Sequence, residues 1–355
     1  MKYIRLVFIN LGVLLALLFV VAIIAYFVGK HQINTFFDMT TPRKAAYFQK
    51  DSLAMFIHKP NIHIFDRWGT NISKITTERR TNNLGFRENE DIIAKKTTEY
   101  RVLITGDSHT DGVLKYNHMS FINRWEALLN EADCDINYNC INGGNGFYTF
   151  RNYAGFLKKY TYLQPDTFLI NVFTGNDFRE ASIYEDDRTS IPNVFKNIYS
   201  RISRRFYSTE QKSISYTQGL EQILHFKSFP NDKKAALELA KKYIRDIKQL
   251  CTQNNIQLVV TLQPSKIEAR PDFKKYLQEL FDLTDEDMLT NQQLTNEFAS
   301  WLSSEGITHY NLLAPLKDAE GIVFWTEDLH INPEGHRIIG EYLFNQVELQ
   351  NNRLQ

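Results

Sequence analysis

The chain has no excess charge of either sign: 41 Lys plus Arg balance 41 Asp plus Glu, and no long run of one sign occurs. A nucleic-acid binder carries clustered basic charge, so that class is set aside. Cysteine is scarce, at three in 355 residues, which cannot all pair within one chain. Only Cys134 and Cys140 lie close in sequence; they form a small disulfide in an oxidising compartment or stay as free buried thiols. No His or Cys stands at zinc-ligand spacing around them, so no metal centre is expected. Internal repeats and low-complexity tracts are also missing. Apolar residues at 43% and aromatics at 13% argue against extended disorder. What remains is a folded body long enough for one large domain.

Long apolar runs are absent too, with one exception. Leu6 to Val28 carries no charge and only Asn10 as a strongly polar interruption. At ~1.5 Å per residue it covers about 34 Å, enough to cross a hydrocarbon core of roughly 30 Å. A cleaved signal peptide needs a shorter apolar region and a small-x-small site; Ile23 and Tyr26 flank Ala25 where a small residue is preferred, so an uncleaved transmembrane anchor is expected. Lys2 and Arg5 precede the run and Lys30, Arg43 and Lys44 follow it, so charge barely orients it. The short N-terminal tail favours N-in, which puts the rest of the chain on the outer face of a bacterial-type inner membrane.

After the anchor (1–30), residues 31–96 read as a polar, irregular juxtamembrane lead-in. From Tyr100 the pattern becomes strand, then helix. RVLIT, CDINYNCIN, DTFLINVF, IQLVVTL and THYNLL read as short buried strands, and SFINRWEALLNEA, FRNYAGFLKKY, DKKAALELAKKYIRDIKQLC and PEGHRIIGEYLFNQVEL as the helices among them. Such alternation predicts an α/β fold, a parallel sheet with helices on both faces, over 97–350. Residues 178–231 interrupt it as a polar insertion in which Arg201, Arg204 and Arg205 cluster. A solvated surface explains that cluster, and contact with anionic lipid or substrate is the sharper alternative.

In parallel sheets chemistry collects beyond the strand C-termini. RVLIT is followed by Gly106-Asp107-Ser108-His109, which places a serine where a helix prepares to start and unpaired backbone N–H groups face incoming negative charge. Turn and cap chemistry alone also explains a GDS tripeptide. Ile141-Asn142-Gly143-Gly144-Asn145-Gly146 follows the second strand, and glycine lets backbone approach a ligand closely. Thr174-Gly175-Asn176-Asp177 follows the third; the Asn176 amide is a candidate oxyanion donor. Glu327-Asp328-Leu329-His330 precedes the last helix and pairs an imidazole with nearby carboxylates, as a general base requires.

Four such blocks in this order resemble the SGNH hydrolase superfamily, the GDSL-type esterases and lipases, over about Thr81 to the last helix. VLITGDS, GND and DLHINPEGH carry the resemblance best, and NNLGFR resembles a segment upstream of the serine in membrane-anchored members. The resemblance implies a flavodoxin-like three-layer domain. In it Ser108 is the nucleophile, His330 the base, and the Ser108 amide, Gly143 and Asn176 the oxyanion hole; the neighbouring register would use Gly144 instead. In the family the aspartate lies three residues before the histidine, a position held here by Glu327. A D-x-H spacing occurs in related envelope acyl-transfer proteins, which favours Asp328 as the orienting carboxylate.

The function expected is a serine esterase acting on a carbohydrate or lipid ester, with no cofactor. An O-acyltransferase using the same residues is the rival enzyme, and a non-catalytic envelope binding protein the rival of another class. Of the remaining conspicuous residues, His109 and Asp111 flank the serine and shape the pocket or cap its helix. His336 reads as a packing residue, and Arg87 as one partner of a surface ion pair.

Overall fold

The computed structural model describes residues 2–36, 38–68, 75–184, 188–215, 217–326 and 329–349. The chain opens with α1 (Lys2–Phe36), whose apolar part packs against almost nothing and is long and apolar enough to cross a membrane. Two antiparallel hairpins follow, β1 (Phe48–Asp51) with β2 (Met55–His58), and β3 (His63–Trp68) with β4 (Ile75–Arg80). Then come β5 (Glu99–Gly106), α2 (Ser108–Asp111), α3 (Phe121–Ala132), β6 (Asn137–Asn142), α4 (Phe150–Tyr160) and β7 (Thr167–Phe173). Helices α5 (Asp177–Tyr184), α6 (Ile191–Arg205), α7 (Thr209–Ile214), α8 (Leu220–Ser228) and α9 (Pro230–Gln253) lead to β8 (Gln257–Gln263). The chain closes through α10 (Pro271–Phe281), α11 (Thr290–Ser304), β9 (Thr308–Asn311) and α12 (Pro333–Gln346).

The fold is α/β: a five-stranded, all-parallel sheet in the order β6-β5-β7-β8-β9 lies between two helical layers. Strand alternation builds two cores. Leu103, Phe168, Ile170, Val260 and Leu262 face α4, α9 and α11, whereas Val102, Ile104, Leu169 and Val259 face α3 and α12. Both faces being covered, every residue of β5 and β7 is buried, which is why their centres, Val102–Ile104 and Phe168–Ile170, read as apolar runs. The order is that of a doubly wound sheet, with its switch point between β5 and β7. The residues after those two strands therefore open into one crevice.

The lead-in is not irregular. Phe48, Ala54, Phe56, Ile57 and Phe86 enter the core on the α4 face, so the first hairpin and the loop after the second pack with the sheet domain, and Thr77, Glu78 and Arg79 of β4 are buried as well. NNLGFR is a turn: the Asn82 side chain accepts from the Leu84 and Phe86 amides at 3.0 Å, and Gly85 takes φ 86°, where a Cβ would strike the His58 carbonyl. The insertion is likewise regular, consisting of α5 to α8 with Leu220, Ile223 and Phe226 buried. All three cysteines are free, Cys134 exposed and Cys140 buried, so the pairing of these two does not form.

Candidate active site

Asp107 follows β5 and caps α2, its carboxylate accepting from the His109 amide at 2.9 Å. Ser108 thereby becomes the first residue of a helix at the switch point. Its hydroxyl lies 2.8 Å from His330 Nε2, delivered from a sequence distance of 222 residues by the turn before α12. The Asn332 side chain caps α12 by accepting from Gly335 N at 3.0 Å, which fixes where that turn ends. Burial pushes the Asp107 carboxyl up to about 6, opposed by the His109 amide bond and the nearby His330.

A second residue meets the same nitrogen. Gln218, in the loop between α7 and α8, places Nε2 3.0 Å from His330 Nε2 and Oε1 2.5 Å from His109 Nε2. The chain of contacts continues from His109 Nδ1 to Gln263 Nε2 at 2.6 Å, and from Gln263 Oε1 to Asn171 Nδ2 at 2.7 Å. One backbone group sets every donor. Ile331 N can only donate, and it points at His109 Nδ1 at 3.4 Å, so that nitrogen accepts and the ring proton is on Nε2. His109 then donates to Gln218 Oε1, and the Gln218 amide nitrogen donates to His330 Nε2. Burial holds the His109 pKa well down, in keeping with a neutral ring. His330 Nε2 thus accepts from Gln218 Nε2–H and lies 2.8 Å from Ser108 Oγ, which also lies 3.5 Å from Asp107 Oδ2.

The glycines separate by what they touch. Gly143 N donates to the Ile104 carbonyl at 2.8 Å, and a Cβ there would overlap the Phe156 ring. Gly144 N donates to Asn142 Oδ1 at 3.0 Å, and a Cβ there would run into the backbone of Thr110 and Asp111. Both amides are committed and both glycines are required by close packing, so neither presents a donor to Ser108. Gly146 stands nearer: a Cβ there would lie 3.9 Å from Ser108 Cβ. The amides of Ser108 and Gly146 have no hydrogen-bond partner among the described residues. Asn176 sits directly after β7, at the other side of the crevice, with Nδ2 donating to Glu180 Oε1 at 3.1 Å and its second amide hydrogen left over. Asp177 beside it is buried and accepts from Tyr153 Oη at 2.8 Å and Phe173 N at 3.0 Å; burial, then Asp107, raise its pKa well above the ordinary carboxylate range.

Behind α2 lies a buried ion cluster. Asp111 receives Arg87 at 2.5 Å, Arg79 at 3.1 Å and His58 at 3.3 Å, and Arg87 also donates to the Glu78 carbonyl at 2.8 Å. Although burial opposes ionisation, the Arg87 guanidinium first, with His58 and Arg79 beside it, holds the Asp111 carboxyl far below its usual range. The Arg87 ion pair is therefore interior, not at the surface. His336 is fully buried, accepts from Phe121 N at 3.2 Å and stacks on that ring; burial lowers its pKa to about 3. Asp328 and Glu327, the two candidates for orienting His330, lie outside the described residues.

Gln218, Gln263 and Arg79 were not singled out from sequence. Gln263 ends β8, a position where the rule of reading strand C-termini would have found it; nothing in the residues around Gln218 marks it.

No protein-family model matches the chain, and no curated protein does either. Among solved structures, a G-D-S-L family lipolytic protein from Desulfitobacterium hafniense DCB-2 matches at 17% identity, covering 70% of this chain and 99% of its own, with a TM-score of 0.40. An acetyl xylan esterase, AlAXEase, matches at 13% identity over 70% and 100%, with a TM-score of 0.43. A member of the lipolytic protein G-D-S-L family from Veillonella parvula DSM 2008 matches at 12% identity over 70% and 97%, with a TM-score of 0.37.

Proposed function

We propose that this chain is a membrane-anchored serine esterase. One observation carries the reading: the Ser108 hydroxyl rests 2.8 Å from His330 Nε2, at the switch point of a parallel sheet. His330 Nε2 takes the hydroxyl proton as Ser108 Oγ bonds to an ester carbonyl carbon. The Ser108 and Gly146 amides and the Asn176 side chain hold the resulting oxyanion, with Gly146 in the place first given to Gly143. The carbon–oxygen bond to the alcohol then breaks, and the leaving alkoxide takes the proton back from the imidazolium. Water, deprotonated by His330, releases the acid from the acyl-serine and restores the hydroxyl. Asp328, or Glu327 in its stead, orients the imidazole in this scheme. The substrate class is an acylated carbohydrate or lipid, and a sugar hydroxyl replacing water in the second half would make the same site a transferase. The anchor α1 would hold the domain on the outer face of the inner membrane.

Full-length protein in detergent is given a nitrophenyl acetate and nitrophenol is followed before steady state. A burst stoichiometric with enzyme is expected. Ser108→Ala and His330→Ala are each expected to lose turnover by at least about a thousandfold. Turnover within a few-fold of wild type in Ser108→Ala would remove the reading. Supplying an oligosaccharide in the same assay separates hydrolysis from transfer, because only transfer leaves acetylated sugar.

A further inference from the structure

Helix α6 keeps one apolar sector out of every core. Ile191, Phe195, Tyr199, Ile202 and Phe206 are 63%, 38%, 54%, 50% and 84% exposed. Their spacing of four, four, three and four residues puts them within an arc of about 80° at ~100° per residue. A contiguous exposed stripe of this size on one helix marks an interaction surface.

The structure supplies its neighbour. The adjoining sector of α6 packs on the C-terminal part of α1, with Val194 and Ile198 against Gly29. Tyr26 Oη donates to the Thr189 carbonyl at 3.2 Å and Arg201 reaches Gln32 Oε1 at 2.5 Å. Tyr26 and Gly29 bracket the end of the uncharged run at Val28, so α6 starts at the level where α1 leaves its apolar stretch. The exposed stripe thus flanks the sector of α6 that packs on α1, whose Phe27 and Val28 are exposed at the same level. Charge agrees: α6 contains Lys196, Arg201, Arg204 and Arg205 and no acidic residue, in a chain of zero net charge. Lys196 and Arg204 are neutralised by Asp232 and Glu221, whereas Arg201 and Arg205 are exposed beside the stripe.

We infer that α6 is an interfacial helix: its stripe enters the headgroup region of the bilayer that α1 crosses, and its exposed arginines meet anionic lipid headgroups. This rests on the anchor reading of α1. The insertion that bears α6 also bears Gln218, so the bilayer contact and the contact with His330 belong to one segment.

Full-length protein with Cys134→Ser is placed in phosphatidylcholine–phosphatidylglycerol nanodiscs, carrying one environment-sensitive fluorophore at Ile202→Cys, Tyr199→Cys, Leu15→Cys or Lys275→Cys. Lys275 is 78% exposed, on α10, and serves as the solvent control. Spin-labelled lipid with its quencher near the headgroup should quench the Ile202 and Tyr199 labels at least about threefold more than the Lys275 label. The effect should weaken when phosphatidylglycerol is left out. Lipid bearing the quencher near the chain end should act mainly on Leu15. Quenching at Leu15 with Ile202 and Tyr199 matching Lys275 overturns the inference and leaves the anchor standing. No quenching at Leu15 removes the anchor and the inference together. Water exclusion at Ile202 without lipid quenching, seen only in discs holding two chains, assigns the stripe to a second copy and also overturns it.

Discussion

Gln218 decides more about the resting site than any single charge. Its amide N–H occupies the same lone pair of His330 that must receive the Ser108 proton, and once Nε2 is protonated the two groups are donors facing each other. In the proposed mechanism Gln218 withdraws as the reaction proceeds. Gln218→Ala is therefore expected to speed reaction with a small serine-directed phosphonate by about fivefold, the equivalent of one hydrogen bond of ~1 kcal/mol. A rate unchanged or lowered would show that Gln218 steadies His330 instead of competing for it. Asp111 and Arg87 act on stability. Both are buried, and Arg87→Ala removes the shortest of the Asp111 contacts, at a cost of about 3 kcal/mol read from the denaturant midpoint. The Asp111 carboxyl is depressed when folded, so its contribution is full above its unfolded pKa near ~4 and fades only below it. The Arg87→Ala deficit should accordingly be the same at pH 8 as at pH 6.

Elements differ in how far residues alone reveal them. β5, β7 and β8 read directly because burial on both faces leaves each with an apolar centre, Val102–Ile104, Phe168–Ile170 and Leu258–Val260. The hairpins β1–β2 and β3–β4 do not, because short strands on the domain's flank alternate with charge; among the described residues Phe48, Ala54, Phe56 and Ile57 reach the core, through packing on α4 that no local pattern encodes. α6 was hidden differently: arginines and serines between its apolar positions lower the mean hydropathy while leaving the stripe intact. Ser108, Asn176 and His330 were legible because each follows a recognisable strand or precedes the last helix. Gln218 was not, since its role exists only once α7 and α8 bring it across the crevice. Asp177, at the start of α5, gives a prediction at this scale. Its carboxyl is raised in the folded state, first by burial and then by Asp107, so stability is full below the unfolded pKa near ~4 and declines as pH rises. Asp177→Asn keeps an oxygen for Tyr153 and Phe173 while removing the charge. Its melting temperature should fall less than wild type between pH 5 and pH 8; an equal fall would show that Asp177 does not titrate as its surroundings imply.

At the scale of the molecule, the parts form one arrangement. A parallel sheet sets the crevice at its switch point, the hairpins close its flank through the Asp111 cluster, and the insertion covers His330 with Gln218 while laying α6 beside α1. The claim on which everything else depends is that Ser108 is a nucleophile activated by His330. The most direct measurement is intact-mass and peptide analysis of full-length protein treated with a serine-directed phosphonate. The account predicts one adduct per chain, located on Ser108, absent in Ser108→Ala and slowed by at least about a hundredfold in His330→Ala. An unmodified chain, or an adduct formed equally in Ser108→Ala, would contradict it.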